Sequence, residues 1–220
     1  MTEPTAFVPR LYLVTDRHAT GGRSLAAVVR QALAGIAGSG VAPHAVAVQL
    51  REKDLSGRAL GELARALRAE TAAAGVRLYV NDRIDVALAV GADGVHLGGE
   101  ALSAADARAI GPGLGVAISA HGIDDLRPHL RSNAFAVFGP IYDTPSKRRY
   151  GPPLGAAALS SAAGVGLPLV AIGGIGPETV GEVLAAGARG VACIRAVMSA
   201  PDPAAAVRAF CEALAATDHP

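Results

Sequence analysis

The 220-residue chain is 51% hydrophobic and 18% charged, with a formal net charge of +1. That length suits one well-buried α/β domain, and so even a charge balance excludes the basic surplus that drives binding to nucleic-acid backbones. Two cysteines, Cys193 and Cys211, stand in no metal-ligand spacing, which excludes a disulfide framework and a cysteine zinc site. The opening MTEPTAFVPR has no basic region ahead of an apolar run, and no apolar stretch of about 18 residues follows. Neither export nor a membrane contact is predicted, and the expected location is cytoplasmic.

Short apolar runs rich in β-branched residues alternate with Ala/Leu/Arg stretches of helical period, the pattern of successive strand-helix units on a parallel sheet. The predicted strands are LYLVT from Leu11, AVAVQL from Ala45, RLYV from Arg77, GVHL from Gly94, GVAIS from Gly115, AFAVFG from Ala134, PLVAIG from Pro168 and GVACI from Gly190. Helices are predicted to begin near Ser24, Ser56, Arg83, Ser103, Ile123, Leu154, Pro177 and Pro201, several of them opening on the Ser, Asp or Pro that helix starts prefer. Eight such pairs predict an α/β fold, a (β/α)₈ TIM barrel, as a single domain over residues 1–220. A doubly wound nucleotide-binding sheet is disfavoured, because TDRHATGG after the first strand lacks the glycine fingerprint. The segment from Gly139 to Gly155, GPIYDTPSKRRYGPPLG, is long for a barrel connection, which marks it as a candidate binding loop.

Chemistry in such barrels sits at the C-terminal ends of the strands. There the second strand carries Gln49, Arg51 and Lys53, whose every-other-residue spacing places them on one face. Gln49 falls inside the apolar run and needs a polar partner when buried, so the three together predict an anionic or heteroaromatic ligand. Asn81 and Asp82 end the third strand. Asp82 has two readings, a ligand for a hard divalent cation or the N-cap of the following helix. His96 lies mid-strand, either as a satisfied core histidine or as a site residue, and Asp93 beside Gly94 is read as turn chemistry. Ser119 and His121 end the fifth strand, and Thr144, Ser146 and Lys147 lie in the long loop after the sixth. Gly173 and Gly174 after the seventh strand would let backbone N–H groups approach a phosphate, and Arg195 at the end of the eighth supplies either a fitting charge or a surface arginine.

The ordered series LYLVTD, QLREKD, VNDRIDVALAVGADGVHLG, ISAH, FGPIYDTPSK, AIGGI and GVACIRAV resembles the thiamine phosphate synthase and thiazole tautomerase superfamily over nearly the whole chain. The resemblance implies condensation of a pyrimidine pyrophosphate with a thiazole phosphate, assisted by Mg²⁺. It implies pyrimidine and pyrophosphate contacts at Gln49, Arg51 and Lys53, pyrophosphate and Mg²⁺ contacts at Asn81 and Asp82, and further pyrophosphate contacts at Ser119 and Lys147. Thr144 and Ser146 match the thiazole phosphate loop, and Gly173 and Gly174 the backbone part of that phosphate site. Two positions depart from the synthase pattern. The run HLGGEAL places Gly99 and Ala101 where synthases carry Gln and the second Mg²⁺-binding Asp, and Arg195 stands where a small serine is usual. Tautomerases of this fold lack that Asp, need no metal and use a strand-five histidine, which His121 matches. A third reading is a non-catalytic binder of thiazole or thiamine phosphates. Barrels of this type are commonly dimers, so a homodimer is open, although no exposed apolar stripe in the sequence marks an interface.

Overall fold

Apolar runs of four to six residues become eight parallel strands: β1 (Leu11–Val14), β2 (Val46–Leu50), β3 (Arg77–Asn81), β4 (Gly94–Leu97), β5 (Gly115–Ala120), β6 (Phe135–Phe138), β7 (Leu169–Ile172) and β8 (Gly190–Cys193). The structure is a computed structural model describing residues 7–144 and 152–217. Each strand pairs with the next in sequence, and β1 pairs with β8 as well as β2, so the sheet closes into a barrel. Between and after them run α1 (Leu25–Ala34), α2 (Gly57–Ala73), α3 (Ile84–Ala89), α4 (Ala104–Ile110), α5 (Ile123–Leu126), α6 (Gly155–Ala163), α7 (Val180–Ala185), α8 (Arg195–Met198) and α9 (Pro203–Ala216). Side-chain caps hold several helix starts: Ser56, Ser103 and Asp202 accept from the backbone N–H groups of Ala59, Asp106 and Ala205.

Most strand residues are buried, because one face meets the helices and the other fills the barrel, which is why the strands read as unbroken apolar runs. Val48, Leu50, Leu78 and Val80 join helix residues such as Val28, Leu67 and Val207 in the outer core. Tyr12, Val14, Tyr79, Phe135, Val137 and Val170 form the inner one. Tyr12, Tyr79 and Phe135 meet edge to face, with ring centroids 5.6 to 5.8 Å apart. Tyr79 has room only because the next two strands begin with glycine. A Cβ at Gly94 would lie 2.3 Å from Tyr79 Cε1, and one at Gly115 2.5 Å from Tyr79 Oη. This aromatic mass plugs the barrel on the N-terminal side and leaves the polar end of the interior for ligand.

Two departures from the sequence expectation belong to the fold itself. The eighth strand ends at Cys193, and Arg195 opens the short helix α8. The continuing apolar pattern of IRAV hides that break. Asp93 does more than shape a turn: its Oδ2 accepts from Leu78 N at 2.8 Å and from Arg68 Nη1 at 2.7 Å, stitching α2 to the start of β3.

Candidate active site

Strand alternation carries Gln49 of β2, Arg51 just past its end, Asn81 of β3, His96 of β4 and Ser119 of β5 inward, above the aromatic plug. With Lys53, His121, Thr144, Gly173, Gly174 and Arg195 they line one cavity of about 530 Å³ at the C-terminal end of the barrel, floored by Val14, Val137, Ile172 and Ala192. Asp82 opens instead into an adjoining recess shared with Arg51, Lys53, Glu100 and Ala101. Ser146 and Lys147 lie outside the described residues.

A chain of hydrogen bonds orients the amides. Asp82 Oδ2 accepts from Asn81 Nδ2 at 2.8 Å, and Asn81 Oδ1 accepts from Gln49 Nε2 at 2.9 Å. A carboxylate only accepts, so it sets the amide orientation of Asn81 and, through it, that of Gln49. Among the described residues Gln49 Oε1 and its second N–H have no protein partner, which leaves them for a ligand. Asp82 is not a helix cap, contrary to one of its two sequence readings: Arg83 occupies the N-cap position of α3 and makes no side-chain cap bond. Asp82 sits at φ 57°, in the left-handed region that aspartate tolerates better than most residues, and its Oδ1 accepts from Gly98 N at 2.8 Å.

Arg51 and Lys53 face the cavity while Glu52, between them, points the other way and is buried. Its carboxylate accepts from Thr15 Oγ1 at 2.8 Å, from Arg17 N at 3.1 Å and from Arg17 Nη1 at 3.2 Å. Thr15 Oγ1 in turn accepts from Arg51 N at 2.9 Å, so the β1 and β2 loops are locked where the cations emerge. Arg17 also holds Asp54, whose carboxyl is kept well below the usual carboxylate range by that guanidinium. Sequence reasoning missed Glu52. The available signal was its parity, opposite to that of Arg51 and Lys53, which sends a charge into packed surroundings where it needs a partner.

His96 is buried, with Nδ1 3.3 Å from Tyr12 Oη and Nε2 2.9 Å from Ser119 Oγ. Burial, and then the charges of Arg51 and Lys53, pull its pKa down to about 3, so the ring is neutral. It is both a satisfied core histidine and a cavity wall. His121 Nδ1 donates to the carbonyl oxygen of Gly139 at 2.5 Å, since a carbonyl only accepts. Gly173 and Gly174 have φ of 102° and 66°, and a Cβ at either would press to 2.6 or 2.7 Å on the loop from Pro140 to Asp143. These glycines let the end of β7 pack closely against the loop that leaves β6.

Such a pocket, with Arg51, Lys53 and Arg195 on its wall and buried amides below, suits a phosphorylated heteroaromatic ligand. Residues 11–197 match the family model described as thiamine monophosphate synthase. The chain belongs to the thiamine monophosphate synthase family. It is 50% identical over 203 residues to a putative thiamine-phosphate synthase of Geobacter sulfurreducens, covering 91% of this chain and 92% of that one. Against the thiamine-phosphate synthase of Roseiflexus castenholzii it is 44% identical over 208 residues, 93% and 88% of the two chains. The solved thiamine phosphate pyrophosphorylase from Pyrococcus furiosus superposes with a TM-score of 0.80 at 32% identity, over 93% of this chain and 95% of that one. Family membership makes the chain a transferase of the thiamine phosphate synthase type.

Within this family fold, the oxygen donors fit a cation only in company. Among the described residues no group of three or more His, Cys, Asp or Glu is arranged to hold a metal. Both oxygens of Asp82 already accept a protein hydrogen bond, and Lys53 Nζ is 4.0 Å from Oδ2. Each oxygen keeps a further lone pair, and Glu100 shares the recess. Such a set would hold a hard divalent cation such as Mg²⁺ only with further oxygen ligands from outside the protein side chains. Ala101 packs against the core and adds no oxygen, while a Cβ at Gly99 would meet nothing within 4 Å, so packing does not demand glycine there.

Proposed function

We propose that the chain condenses hydroxymethylpyrimidine pyrophosphate with thiazole phosphate, giving thiamine phosphate and pyrophosphate, in the cytoplasm, where two unpaired buried cysteines are at home. The observation that carries the reading is the convergence of Gln49, Arg51, Lys53, Asn81 and Ser119 on one cavity beside the Gly173–Gly174 turn. Gln49, its amide oriented by Asn81, meets the pyrimidine. Arg51, Lys53, Asn81 and Ser119 surround the pyrophosphate, and Thr144, Gly173 and Gly174 receive the thiazole phosphate, with Arg195 adding charge. The family resemblance assigns Lys147 to the first set and Ser146 to the second. The bond from the pyrimidine methylene carbon to the pyrophosphate oxygen breaks, and its electron pair leaves with pyrophosphate. The thiazole nitrogen then gives its lone pair to the resulting cation. Preorganised positive charge around the departing oxygens lowers this barrier most, because charge grows there as the bond stretches. Mg²⁺, held by Asp82 and the substrate phosphates, would supply further charge neutralisation. The two substrates and Mg²⁺ with purified protein should yield thiamine phosphate, read by mass or by fluorescence after oxidation to thiochrome. No product would reject the reading.

One observation favours a second reading. His121 lines the cavity with Nδ1 committed to the Gly139 carbonyl oxygen, which leaves Nε2 as the nitrogen that a metal-independent thiazole tautomerase would use as its acid or base. Conversion of the tautomerase substrate without metal, and no condensation, would establish it. Binding of thiazole phosphate without turnover in either assay would establish a non-catalytic binder.

A further inference from the structure

We infer that Tyr12 is a positioning residue whose hydroxyl, by donating to His96 Nδ1, holds His96 as the Nε2–H tautomer, so that Nε2–H donates to Ser119 Oγ and the Ser119 proton is left for a bound anion. The inference rests on the pyrophosphate subsite just proposed and deepens it. Tyr12 is fully buried in the inner core and lies below the cavity wall, so it touches no substrate and acts only through His96.

The direction of the chain follows from counting donors and acceptors. His96 Nδ1 is 3.3 Å from Tyr12 Oη, Nε2 is 2.9 Å from Ser119 Oγ, and among the described residues neither hydroxyl has another hydrogen-bond partner. A neutral imidazole has one N–H and one lone pair. Were the proton on Nδ1, it would donate to Tyr12 Oη, and the phenol's own proton would be buried with no acceptor, the arrangement that folded proteins avoid. Ser119 would then spend its proton on Nε2 and present only lone pairs to an anion. With the proton on Nε2, Tyr12, Nδ1 and Nε2 are all satisfied. Only the Ser119 proton remains, at a residue that lines the cavity.

The surroundings leave the rings little freedom. Tyr12 and His96 lie nearly parallel, 16° apart with centroids at 5.9 Å, while Tyr79 and Phe135 clamp Tyr12 edge-on. The His96 carbonyl accepts from Asp82 N at 2.8 Å, which fixes the backbone below the ring. Burial pushes the Tyr12 hydroxyl well above its ordinary pKa, so it keeps the proton that it donates.

Two measurements test this without relying on turnover. The first is nitrogen-15 NMR of the unmodified protein, with His96 assigned by the signals missing from a His96→Gln variant. A proton on Nε2 and a pyridine-type Nδ1 are expected, and a proton on Nδ1 would overturn the inference whatever the variants do. The second is calorimetric binding of inorganic pyrophosphate to the wild type, Tyr12→Phe, Ser119→Ala and the double variant, each checked for folding by circular dichroism. Tyr12→Phe and Ser119→Ala should each weaken binding, by roughly tenfold for one charge-assisted hydrogen bond, and the double variant by no more than Ser119→Ala alone. Additive losses, or no loss in Tyr12→Phe, would overturn the positioning role. Failure of the proposed function itself would show separately, as absence of thiamine phosphate from the wild type in the presence of both substrates.

Discussion

The carboxylate of Asp82 accepts the backbone N–H of Gly98 at 2.8 Å, tying the end of β3 to the turn that carries Gly99, Glu100 and Ala101. One carboxylate oxygen is thereby directed at the turn where the family pattern places a second acidic ligand. The recess holds the carboxylates of Asp82 and Glu100, and an alanine at 101, where the family pattern places that acidic ligand.

Replacing Ala101 with Asp should therefore lower the Mg²⁺ concentration that half-saturates condensation by several-fold, since added oxygen charge tightens binding of hard cations. A titration of rate against Mg²⁺ checks it. An unchanged midpoint would mean that residue 101 does not face the cation. Asp82→Asn should act in the opposite direction and raise the midpoint.

Glu52 predicts a loss of stability rather than of chemistry. Glu52→Gln keeps the shape but removes the charge that Arg17 and the Thr15 hydroxyl address, and hydrogen bonds to a charged group are worth about 1.5–3 kcal/mol each when net effects are counted. Arg17 is partly solvated, so a loss of about 2 kcal/mol in urea unfolding is expected, with a smaller fall in activity from the loosened Arg51 backbone. Stability equal to wild type would show that the pair is neutral.

Gly115→Ala and Gly94→Ala should both destabilise by overpacking against Tyr79, by roughly 1–3 kcal/mol. They differ in what relieves them. The added methyl at 115 meets Tyr79 Oη, whereas at 94 it meets ring carbons. Tyr79→Phe should thus restore much of the loss in Gly115→Ala and little in Gly94→Ala. Equal rescue in both, measured by thermal unfolding, would contradict this packing account.

These contacts also show how far residues can be read before a structure exists. Strand parity predicts that Gln49 and Arg51 face the interior, and eight apolar runs predict a barrel, because both rest on local periodicity. The Gly94 and Gly115 requirement does not follow from either segment, since it depends on a tyrosine reaching across from β3. Asp82 is a residue of the same kind: its partner is decided by where β4 ends, 16 residues later, and the helix-cap reading failed because the backbone at 82 turns left-handed. Tyr12 is hidden for a different reason. Within LYLV it reads as one more apolar side chain, and only the register of β1 against the rest of the barrel brings its hydroxyl to His96.

The buried imidazole predicts how stability depends on pH. Burial first, and then Arg51 and Lys53, depress the His96 pKa from 6.5 to about 3 in the folded protein. In the unfolded chain the ring regains its ordinary value, so between these limits unfolding takes up a proton and acid favours the unfolded state. His96 contributes its full stability above pH 6.5 and loses it as the pH falls toward 3. The loss within that window approaches about 1.4 kcal/mol per pH unit. Urea midpoints at pH 7, 6 and 5 should decline accordingly, and His96→Gln, though less stable at pH 7, should show a flatter decline. An identical slope in that variant would mean that His96 is charged in the fold, and the neutral hydrogen-bonded chain through Tyr12 and Ser119 would have to be abandoned.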